Sequence, residues 1–262
     1  MLTFLKLGGS LITDKKVESE FRAEVMARLA KEIKAALDQQ ADLQLLIGHG
    51  SGSFGHFAAR QHGTINGVHT PAQWRGFAEV ATVAAELNYL VARELHLAGV
   101  PVWRLQPSAS ARCRDGVLLH LELTPVRTAL EHGITPLVYG DVALDEVRGG
   151  TIISTETVFD YLARHLPVQR IVLFGDVAGV YDDGGTIIPR ITPSSWESLQ
   201  SALAGSAGVD VTGGMFTKVR DMLTLVQAVP GLQVRILDGT QPDLLLNTLT
   251  GRIEAGTLIS AE

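Results

Sequence analysis

The sequence contains a single cysteine, Cys113, among 262 residues. One cysteine excludes an intrachain disulfide framework and is typical of a protein that works in a reducing compartment. Its neighbours Arg112 and Arg114 would favour a reactive thiolate. No catalytic motif accompanies it, however, so a passive thiol is the favoured interpretation.

Long apolar runs and an excess of positive charge are also lacking. The apolar N-terminal segment, residues 1–7, contains Lys6 and stops at Gly8-Gly9, so it is too short for a signal-peptide core or a membrane span. The 22 basic residues against 28 acidic ones give a net charge of −6, which offers no electrostatic reason to expect a nucleic acid partner. We therefore expect a cytoplasmic protein, although a local pocket for a small anion is compatible with this charge.

What the sequence does contain is a regular alternation of apolar segments with longer helical patterns. Strands are predicted at residues 2–7, 43–47, 100–105, 135–138, 170–174 and 233–237, and helices at residues 20–38, 71–98, 122–132, 155–166, 195–204 and 214–229. Most of these strands are apolar throughout, which is typical of a parallel sheet covered by helices. The pattern predicts an α/β fold, a three-layer αβα sandwich with a mainly parallel central sheet.

Two β-hairpins are expected beside this sheet. They cover residues 115–121 and 142–153, and the second has Gly149-Gly150 at its turn. The chain length allows two joined lobes. We expect an N-terminal lobe of residues 1–167 and a C-terminal lobe of residues 168–262, which share one continuous sheet and form a single domain in practice.

The first glycine segment, residues 6–10, reads Lys-Leu-Gly-Gly-Ser and ends the first strand. Glycines let the backbone approach a ligand closely and point its N–H groups at phosphate oxygens. Lys6 can supply positive charge to a transferred group. An ordinary tight turn with a surface lysine explains this short pattern equally well.

The second glycine segment, residues 48–56, carries four glycines within eight residues, between a strand and a helix. Such a nest at a helix N-terminus is typical of phosphate binding, although it matches neither the Walker pattern nor a dinucleotide fingerprint. His49 and His56 lack cysteine or acidic partners at zinc-binding spacing, so metal ligation is not expected. His56 is better suited to donate a hydrogen bond to an anionic acceptor, with a capping or packing role as the alternative.

Two weaker segments lie in the second half of the chain. In residues 174–182, Asp176 follows an apolar strand and could contact a nucleotide or its metal ion, although aspartate and glycine also occupy plain turns. In residues 210–218, Gly213-Gly214 opens a helix and Lys218 lies inside it. A lysine there can fold over bound phosphates, or it can be a solvated surface residue.

Taken in this order, these segments resemble the amino acid kinase superfamily, and within it the isopentenyl phosphate kinase family. The resemblance extends from Leu2 to Ile259 and also rests on Thr13-Asp14-Lys15, Tyr139-Gly140-Asp141 and residues 211–215. The run Ser53-Phe54-Gly55-His56 is the specific part. Most superfamily members that act on amino acids or nucleotides lack this histidine, whereas the isopentenyl phosphate and fosfomycin kinases carry it.

The resemblance implies that the γ-phosphoryl group of ATP is transferred, with Mg²⁺, to isopentenyl phosphate. The product would be isopentenyl diphosphate, for isoprenoid biosynthesis through the alternate mevalonate pathway. A homodimer is also implied, with the acceptor in the N-terminal lobe, ATP mostly in the C-terminal lobe, and Mg²⁺ carried by ATP rather than by protein ligands. The implied roles are charge neutralisation by Lys6, Lys15 and Lys218, ATP contacts by Gly8, Gly9, Ser10, Gly52, Asp176, Tyr181 and Gly213, and acceptor contacts by Gly50, Ser51, Gly55, His56 and Thr155.

Two positions depart from the family pattern. The family's glycine triplet reads Gly50-Ser51-Gly52 here, and serine can still offer its N–H group if its φ angle is negative. Glu156 stands where the family has an aspartate that orients the active-site lysines. Its longer side chain could still pair with Lys6 or Lys218, whereas the helix dipole alone would also favour a glutamate in the first turn of a helix.

A phosphate acceptor suits these residue types. Its second pKa is about 6, so the acceptor oxygen is largely deprotonated at neutral pH and needs no catalytic base. Catalysis would then rest on alignment and on positive charge at the transferring group. The resemblance places the helix predicted over residues 71–98 beside the acceptor's apolar tail, with Phe77 and Val80 as candidate contacts. Most of the apolar face of this helix is expected to belong to the core or to a dimer contact.

Two other functions stay open at this point. A kinase built on the same segments could phosphorylate another small phosphate or phosphonate, such as fosfomycin, whereas an amino acid acceptor fits His56 less well. A non-catalytic nucleotide-binding or regulatory protein is supported only by Glu156. The three lysines argue against it, because a sensor needs no amine aimed at the transferred group.

Overall fold

The computed structural model describes residues 1–205 and 214–262, without the side chains of residues 200–205. Its strands are β1 Leu2–Leu7, β2 Gln44–His49, β3 Val102–Arg104, β4 Arg112–Arg114, β5 Val117–His120, β6 Thr135–Tyr139, β7 Asp141–Asp145, β8 Gly149–Ile153, β9 Val168–Gly175, β10 Arg190–Ile191, β11 Gln233–Asp238 and β12 Thr257–Ser260. Its helices are α1 Gly9–Ile12, α2 Ala23–Gln39, α3 Gly52–His62, α4 Pro71–Leu97, α5 Thr124–Glu131, α6 Thr155–Ala163, α7 Pro193–Gly205, α8 Gly214–Ala228 and α9 Leu244–Leu249.

The central sheet has eight strands in the order β10-β12-β11-β9-β1-β2-β6-β3. Its neighbouring strands are parallel except for β11 and β12. Every residue of β1 is buried, which explains a sequence that is apolar over nearly its whole length. β9 begins at Val168 and pairs directly with β1, so the sheet runs without a break across residue 168.

Helices cover both faces of this sheet. On one face, α2, α4 and α9 bury side chains such as Met26, Leu87 and Leu249 in one cluster. On the other face, α5, α6 and α8 form a second cluster, in which the rings of Phe4 and Phe159 lie 5.1 Å apart. In the described ranges, no helix combines the length and apolarity that a bilayer span requires. The predicted three-layer αβα sandwich is thus confirmed.

Both predicted hairpins are present, although the first begins earlier than predicted, because β4 precedes residue 115. They combine into a four-stranded sheet in the order β5-β4-β7-β8. Asp115 and Gly116 join β4 to β5 with positive φ angles of 48° and 81°, as a two-residue hairpin turn requires. The second turn lies just before the predicted Gly149-Gly150 pair: residues 146–148 form it, and Gly149, with a φ angle of +72°, closes it as the first residue of β8. Asp145 stabilises that turn by accepting hydrogen bonds from two of its backbone N–H groups.

Four short elements were not predicted from the sequence: α1, α9, β10 and β12. None is longer than six residues, so none repeats its period often enough to give a recognisable pattern in the sequence. The two strands form because the sheet offers a partner edge, with β12 pairing along β11 and β10 along β12.

Candidate active site

The carboxyl ends of the central strands open into one cleft. β1, β2 and β9 are parallel neighbours, so the segments that follow them meet at the same edge of the sheet. The cleft has a volume of about 1240 Å³. Of the predicted site residues that the structure describes, all but Phe77 line this cleft. Gly213 lies outside the described residues.

The first and second glycine segments pack backbone against backbone on the floor of the cleft. A Cβ atom on Gly9 would lie 2.4 Å from the amide nitrogen of Gly52, and one on Gly50 would lie 2.8 Å from the amide nitrogen of Gly9. Gly52 begins α3 with a φ angle of +50°. Only glycines allow such an approach, and the floor therefore presents backbone groups to a ligand.

Ser51 fits into the second glycine segment without backbone strain. Its φ and ψ angles are −72° and −16°, so the condition for replacing a glycine, a negative φ angle, is met. The side chain occupies the space beside Gly55, where a Cβ atom would lie 2.6 Å from the Cβ atom of Ser51. A serine at position 51 therefore requires a glycine at position 55.

Some of the glycine N–H groups are already paired within the protein. The N–H groups of Gly8, Gly50 and Gly55 donate to the carbonyl oxygens of Phe174, Leu7 and Ser51 at 2.7, 2.9 and 3.2 Å. These three glycines therefore shape the cleft more than they donate into it. The amide of Gly52, at the first position of α3, has no carbonyl acceptor within its own helix and can donate to an anion.

Lys6 and Glu156 form an ion pair in the cleft. The Nζ atom of Lys6 lies 2.5 Å from Oε1 of Glu156, and the two side chains are only 10% and 24% exposed. Burial alone would raise the pKa of Glu156, but the charge and hydrogen bond of Lys6, together with the charge of Lys218, outweigh it and hold that pKa below its ordinary value. Of the two pairings that the sequence left open, the structure shows the one with Lys6.

Lys15 and Lys218 lie around this ion pair. The pKa of Lys218 is lowered, first by burial and then by the charge of Lys6, while Glu156 and Asp176 oppose the shift. Lys15 donates to Oδ2 of Asp176 at 3.1 Å, and both side chains are exposed. The structure thus brings three amines from β1, from the segment after α1 and from α8 to one cavity.

His56 lies one turn inside α3 and faces the cleft. Its pKa is lowered, first by loss of hydration and then by the positive charges of Arg60, Lys15 and Lys6, with Glu156 opposing them. The imidazole of the free protein is therefore mostly neutral at neutral pH. An anion bound beside it would raise this pKa and favour the charged form.

Thr155, Tyr181 and Val80 occupy other parts of the cleft wall. The hydroxyl group of Thr155 donates to the carbonyl oxygen of His49 at 2.6 Å, so this hydrogen bond connects the start of α6 to the second glycine segment. Phe77 lies behind the wall, in a small apolar cluster that includes Val80, with its ring 5.2 Å from that of Trp74.

Sequence reasoning missed several residues of the cleft wall. Arg60 lies four residues after His56 on α3 and also lines the cleft. This spacing places His56 and Arg60 on the same face of the helix. It is the sequence signal from which Arg60 was predictable. Phe57, which follows His56 on α3, was missed as well. The other missed side chains include Ile65, Ile152, Trp196 and Phe216, which come from distant segments that no local pattern connects.

Backbone-lined pockets at strand ends, with amines converging between them, define a phosphotransferase of the small-molecule kinase class. The sequence model of the amino acid kinase family matches residues 1–238. The chain belongs to the amino acid kinase family, and within it to the isopentenyl phosphate kinases, as three relatives show.

The isopentenyl phosphate kinase of Methanothermobacter thermautotrophicus is 33% identical, with 100% of both chains covered. That of Haloferax volcanii is 38% identical over 227 residues, which cover 86% of this chain and 88% of the relative. An X-ray structure of isopentenyl phosphate kinase superimposes with a TM-score of 0.84 at 30% identity, covering 99% of this chain and 100% of that one.

Proposed function

We propose that the protein transfers the γ-phosphoryl group of ATP to isopentenyl phosphate, giving isopentenyl diphosphate and ADP. The observation that carries this proposal is the single cavity in which Lys6, Lys15, Lys218 and His56 surround two glycine segments. Two anions repel each other unless positive charge lies between them. The relatives, which are isopentenyl phosphate kinases by name, support this choice of acceptor.

ATP would lie mostly against the C-terminal lobe, residues 168–262. In this proposal Gly8, Gly9, Ser10 and Gly52 lie along its phosphates, and Asp176, Tyr181 and Gly213 along the rest of the nucleotide. Within residues 1–205 and 214–262, no group of three or more His, Cys, Asp or Glu side chains is arranged to hold a metal ion. A donor set of amines and backbone amides fits Mg²⁺ that arrives on the phosphates of ATP, where it would neutralise part of their charge.

The acceptor would lie in the N-terminal lobe, residues 1–167. Its phosphate would contact the segment from Gly50 to His56 at the start of α3, where helix N-termini favour anions. The apolar wall of Val80 and Ile152, extended by Phe57 and Ile65, suits a short hydrocarbon tail. Phe77 would act on this tail only indirectly, by supporting Val80.

The chemistry assigned to the protein is alignment and charge neutralisation. The acceptor oxygen is already an anion and attacks the γ-phosphorus without a base, while the bond to the β-phosphate oxygen breaks and ADP leaves. Lys6 would neutralise charge on the transferring group, and Glu156 would hold the Lys6 amine in place. Lys15 and Lys218 would approach the phosphates from the other two sides.

A panel of acceptors in an ADP-release assay tests this function. We expect kcat/KM for isopentenyl phosphate to exceed that for fosfomycin or glutamate by at least about tenfold, because only isopentenyl phosphate has a hydrocarbon tail that packs along the apolar wall. Preference for a phosphonate would overturn the acceptor assignment. No ADP release with any acceptor would favour a non-catalytic nucleotide-binding protein instead.

A homodimer in the cytoplasm is also part of the proposal. The resemblance supports the homodimer, and the single cysteine, which is buried, supports a reducing compartment such as the cytoplasm. β3 ends the central sheet with Trp103 exposed, and Tyr89 of the adjacent α4 is exposed as well, so this edge offers an apolar surface for a second copy. Light scattering on the purified protein checks the oligomeric state.

Replacing His56 with glutamine should weaken acceptor binding more at low pH than at high pH. A bound anion raises the pKa of His56 from the lowered value of the free protein, so the contribution of the charged imidazole to acceptor binding is lost as pH rises through the raised pKa of the complex. Glutamine remains a neutral donor throughout. We expect KM for isopentenyl phosphate to rise about tenfold at pH 6 but less than about threefold at pH 8, with KM for ATP nearly unchanged.

The matched control for this variant is His62→Gln on the same helix. The Nε2 atom of His62 lies 2.9 Å from a carboxylate oxygen of Glu79, and His62 is not among the described residues that line the cleft. Its replacement should leave both KM values unchanged. An equal rise in acceptor KM at pH 6 and pH 8 for His56→Gln would contradict a charged role for His56.

A further inference from the structure

The side chain of Thr13 joins the two glycine segments. Its hydroxyl group donates to the carbonyl oxygen of Gly9 at 2.7 Å and accepts from the amide of Ser53 at 2.9 Å. Gly9 begins α1, two residues after the end of β1, and Ser53 lies in the first turn of α3. Thr13 is fully buried, so both hydrogen bonds are shielded from competition with water.

Close packing reinforces this connection. A Cβ atom on Gly52 would lie 2.2 Å from Oγ1 and 2.7 Å from Cγ2 of Thr13, which places the threonine directly against the start of α3. The backbone of Thr13 is fixed as well, because its amide donates to the carbonyl oxygen of Gly9 at 2.9 Å and it forms an isolated antiparallel bridge with Phe21.

We propose that Thr13 is a positioning residue that holds the ATP phosphates and the acceptor phosphate at the correct separation. The inference rests on the proposed function, in which the first glycine segment contacts ATP and α3 contacts the acceptor. Transfer between two bound groups requires their reacting atoms to lie about 3–3.5 Å apart and aligned. Thr13 acts through Gly9 and Ser53 and has no direct role in the chemistry.

The same residue also fixes the start of the segment that carries Lys15. Lys15 follows Thr13 by two positions and reaches Asp176 at the end of β9. One buried side chain therefore connects β1, α3 and the segment bearing this amine. Without the hydroxyl group each segment keeps its own ligand contacts, so binding persists while alignment is lost.

Thr13→Val and Thr13→Ser separate the hydroxyl group from the shape of the side chain. Valine keeps the shape but leaves the Ser53 amide without its acceptor and removes one of the two donors to the Gly9 carbonyl oxygen, whose hydrogen bond from the Thr13 amide remains. Serine keeps the hydroxyl group. We expect Thr13→Val to lower kcat about 30-fold, with both KM values changed less than about threefold. Thr13→Ser should retain kcat within about threefold of the wild-type value.

Thr248→Val is the matched control for a purely structural effect. Thr248 is also buried, and its hydroxyl group donates to the carbonyl oxygen of Leu244 within α9. Its replacement should lower Tm without changing kcat. The proposal is overturned if Thr13→Val turns over at the wild-type rate, if Thr13→Ser is as slow as Thr13→Val, or if Thr248→Val lowers kcat as much.

Crystal structures of the two Thr13 variants decide the inference independently of the acceptor. It requires the Gly9 carbonyl oxygen and the Ser53 amide to move apart in Thr13→Val and to keep their spacing in Thr13→Ser. Unchanged spacing in both variants would overturn it. Absence of wild-type turnover with isopentenyl phosphate would instead count against the proposed function.

Discussion

Replacing Lys6 with methionine should lower kcat by about 10²–10³-fold while the protein remains folded. Lys6 is the penultimate residue of the central strand β1, and only 10% of its side chain is exposed. In the proposed function its amine lies where charge develops on the transferring group. Methionine keeps the apolar stem of the side chain and removes only the charge. Steady-state ADP release measures kcat, and circular dichroism checks the fold.

The same replacement should also change the pH dependence of stability. In the wild-type protein the pKa of Glu156 is lowered, so the stability from its ion pair is present above the pKa of an unfolded glutamate and is lost as pH falls through the folded value. Without Lys6, burial dominates and raises the pKa of Glu156. The difference in Tm between wild type and Lys6→Met should therefore shrink between pH 7 and pH 4.

Two further variants separate catalysis from charge balance. Lys6→Met combined with Glu156→Gln should recover much of the lost Tm and none of the lost turnover, because the buried carboxylate is gone but the amine is still missing. Lys34→Met removes a lysine that pairs with Asp38 on the surface of α2 and should change neither quantity. Wild-type turnover in Lys6→Met would contradict the assignment of Lys6.

Local patterns predicted the central sheet because its inner strands, such as β1, β2 and β6, are buried on both faces. β1 was predicted at the bounds that the structure shows, since Gly8-Gly9 ends an otherwise apolar run. β12 could not be predicted in this way, because its four residues form a strand only by pairing with β11. Turn positions were equally hard to predict: in the second hairpin the Asp145 side chain accepts from the turn's backbone N–H groups, and Gly149 closes the turn instead of standing at its centre.

The candidate site was predictable where one segment carries both a strand end and its glycines. Lys6, Gly9 and Gly52 are of this kind, and the structure places them together because β1 and β2 are parallel neighbours. The partner of Glu156 was not predictable, since the choice between two lysines depends on where the start of α6 lies relative to β1. The positioning role of Thr13 was not predictable for a similar reason, because its contact with Ser53 joins segments 40 residues apart.

Gly52→Ala should nearly abolish turnover, the second large effect expected of a single substitution. The φ angle of Gly52 is +50°, which costs a non-glycine residue about 1 kcal/mol. The added methyl group would also lie 2.2 Å from Oγ1 of Thr13 and 2.9 Å from the carbonyl oxygen of Gly9, so the two glycine segments must separate. We expect kcat/KM for ATP to fall by more than about 100-fold and Tm to fall with it.

Gly231→Ala isolates the cost of the backbone conformation. Gly231 has a φ angle of +78°, and nothing lies within 4 Å of an added Cβ atom, so alanine there carries the strain without the clash. Its Tm should fall modestly and its kcat/KM should stay at the wild-type value. Similar turnover in the two alanine variants would show that the contact between the glycine segments is unimportant for transfer.

The clash itself can be measured by combining Gly52→Ala with Thr13→Ala. Alanine at position 13 removes the Oγ1 and Cγ2 atoms that the new methyl group would meet, so the double variant should lose less unfolding free energy than the sum of the two single losses. Turnover should stay low in all three proteins, because the hydroxyl link or the backbone contact is missing in each. Strictly additive losses of stability would mean that Thr13 and Gly52 are not in contact in solution, and the alignment attributed to them would then need another source.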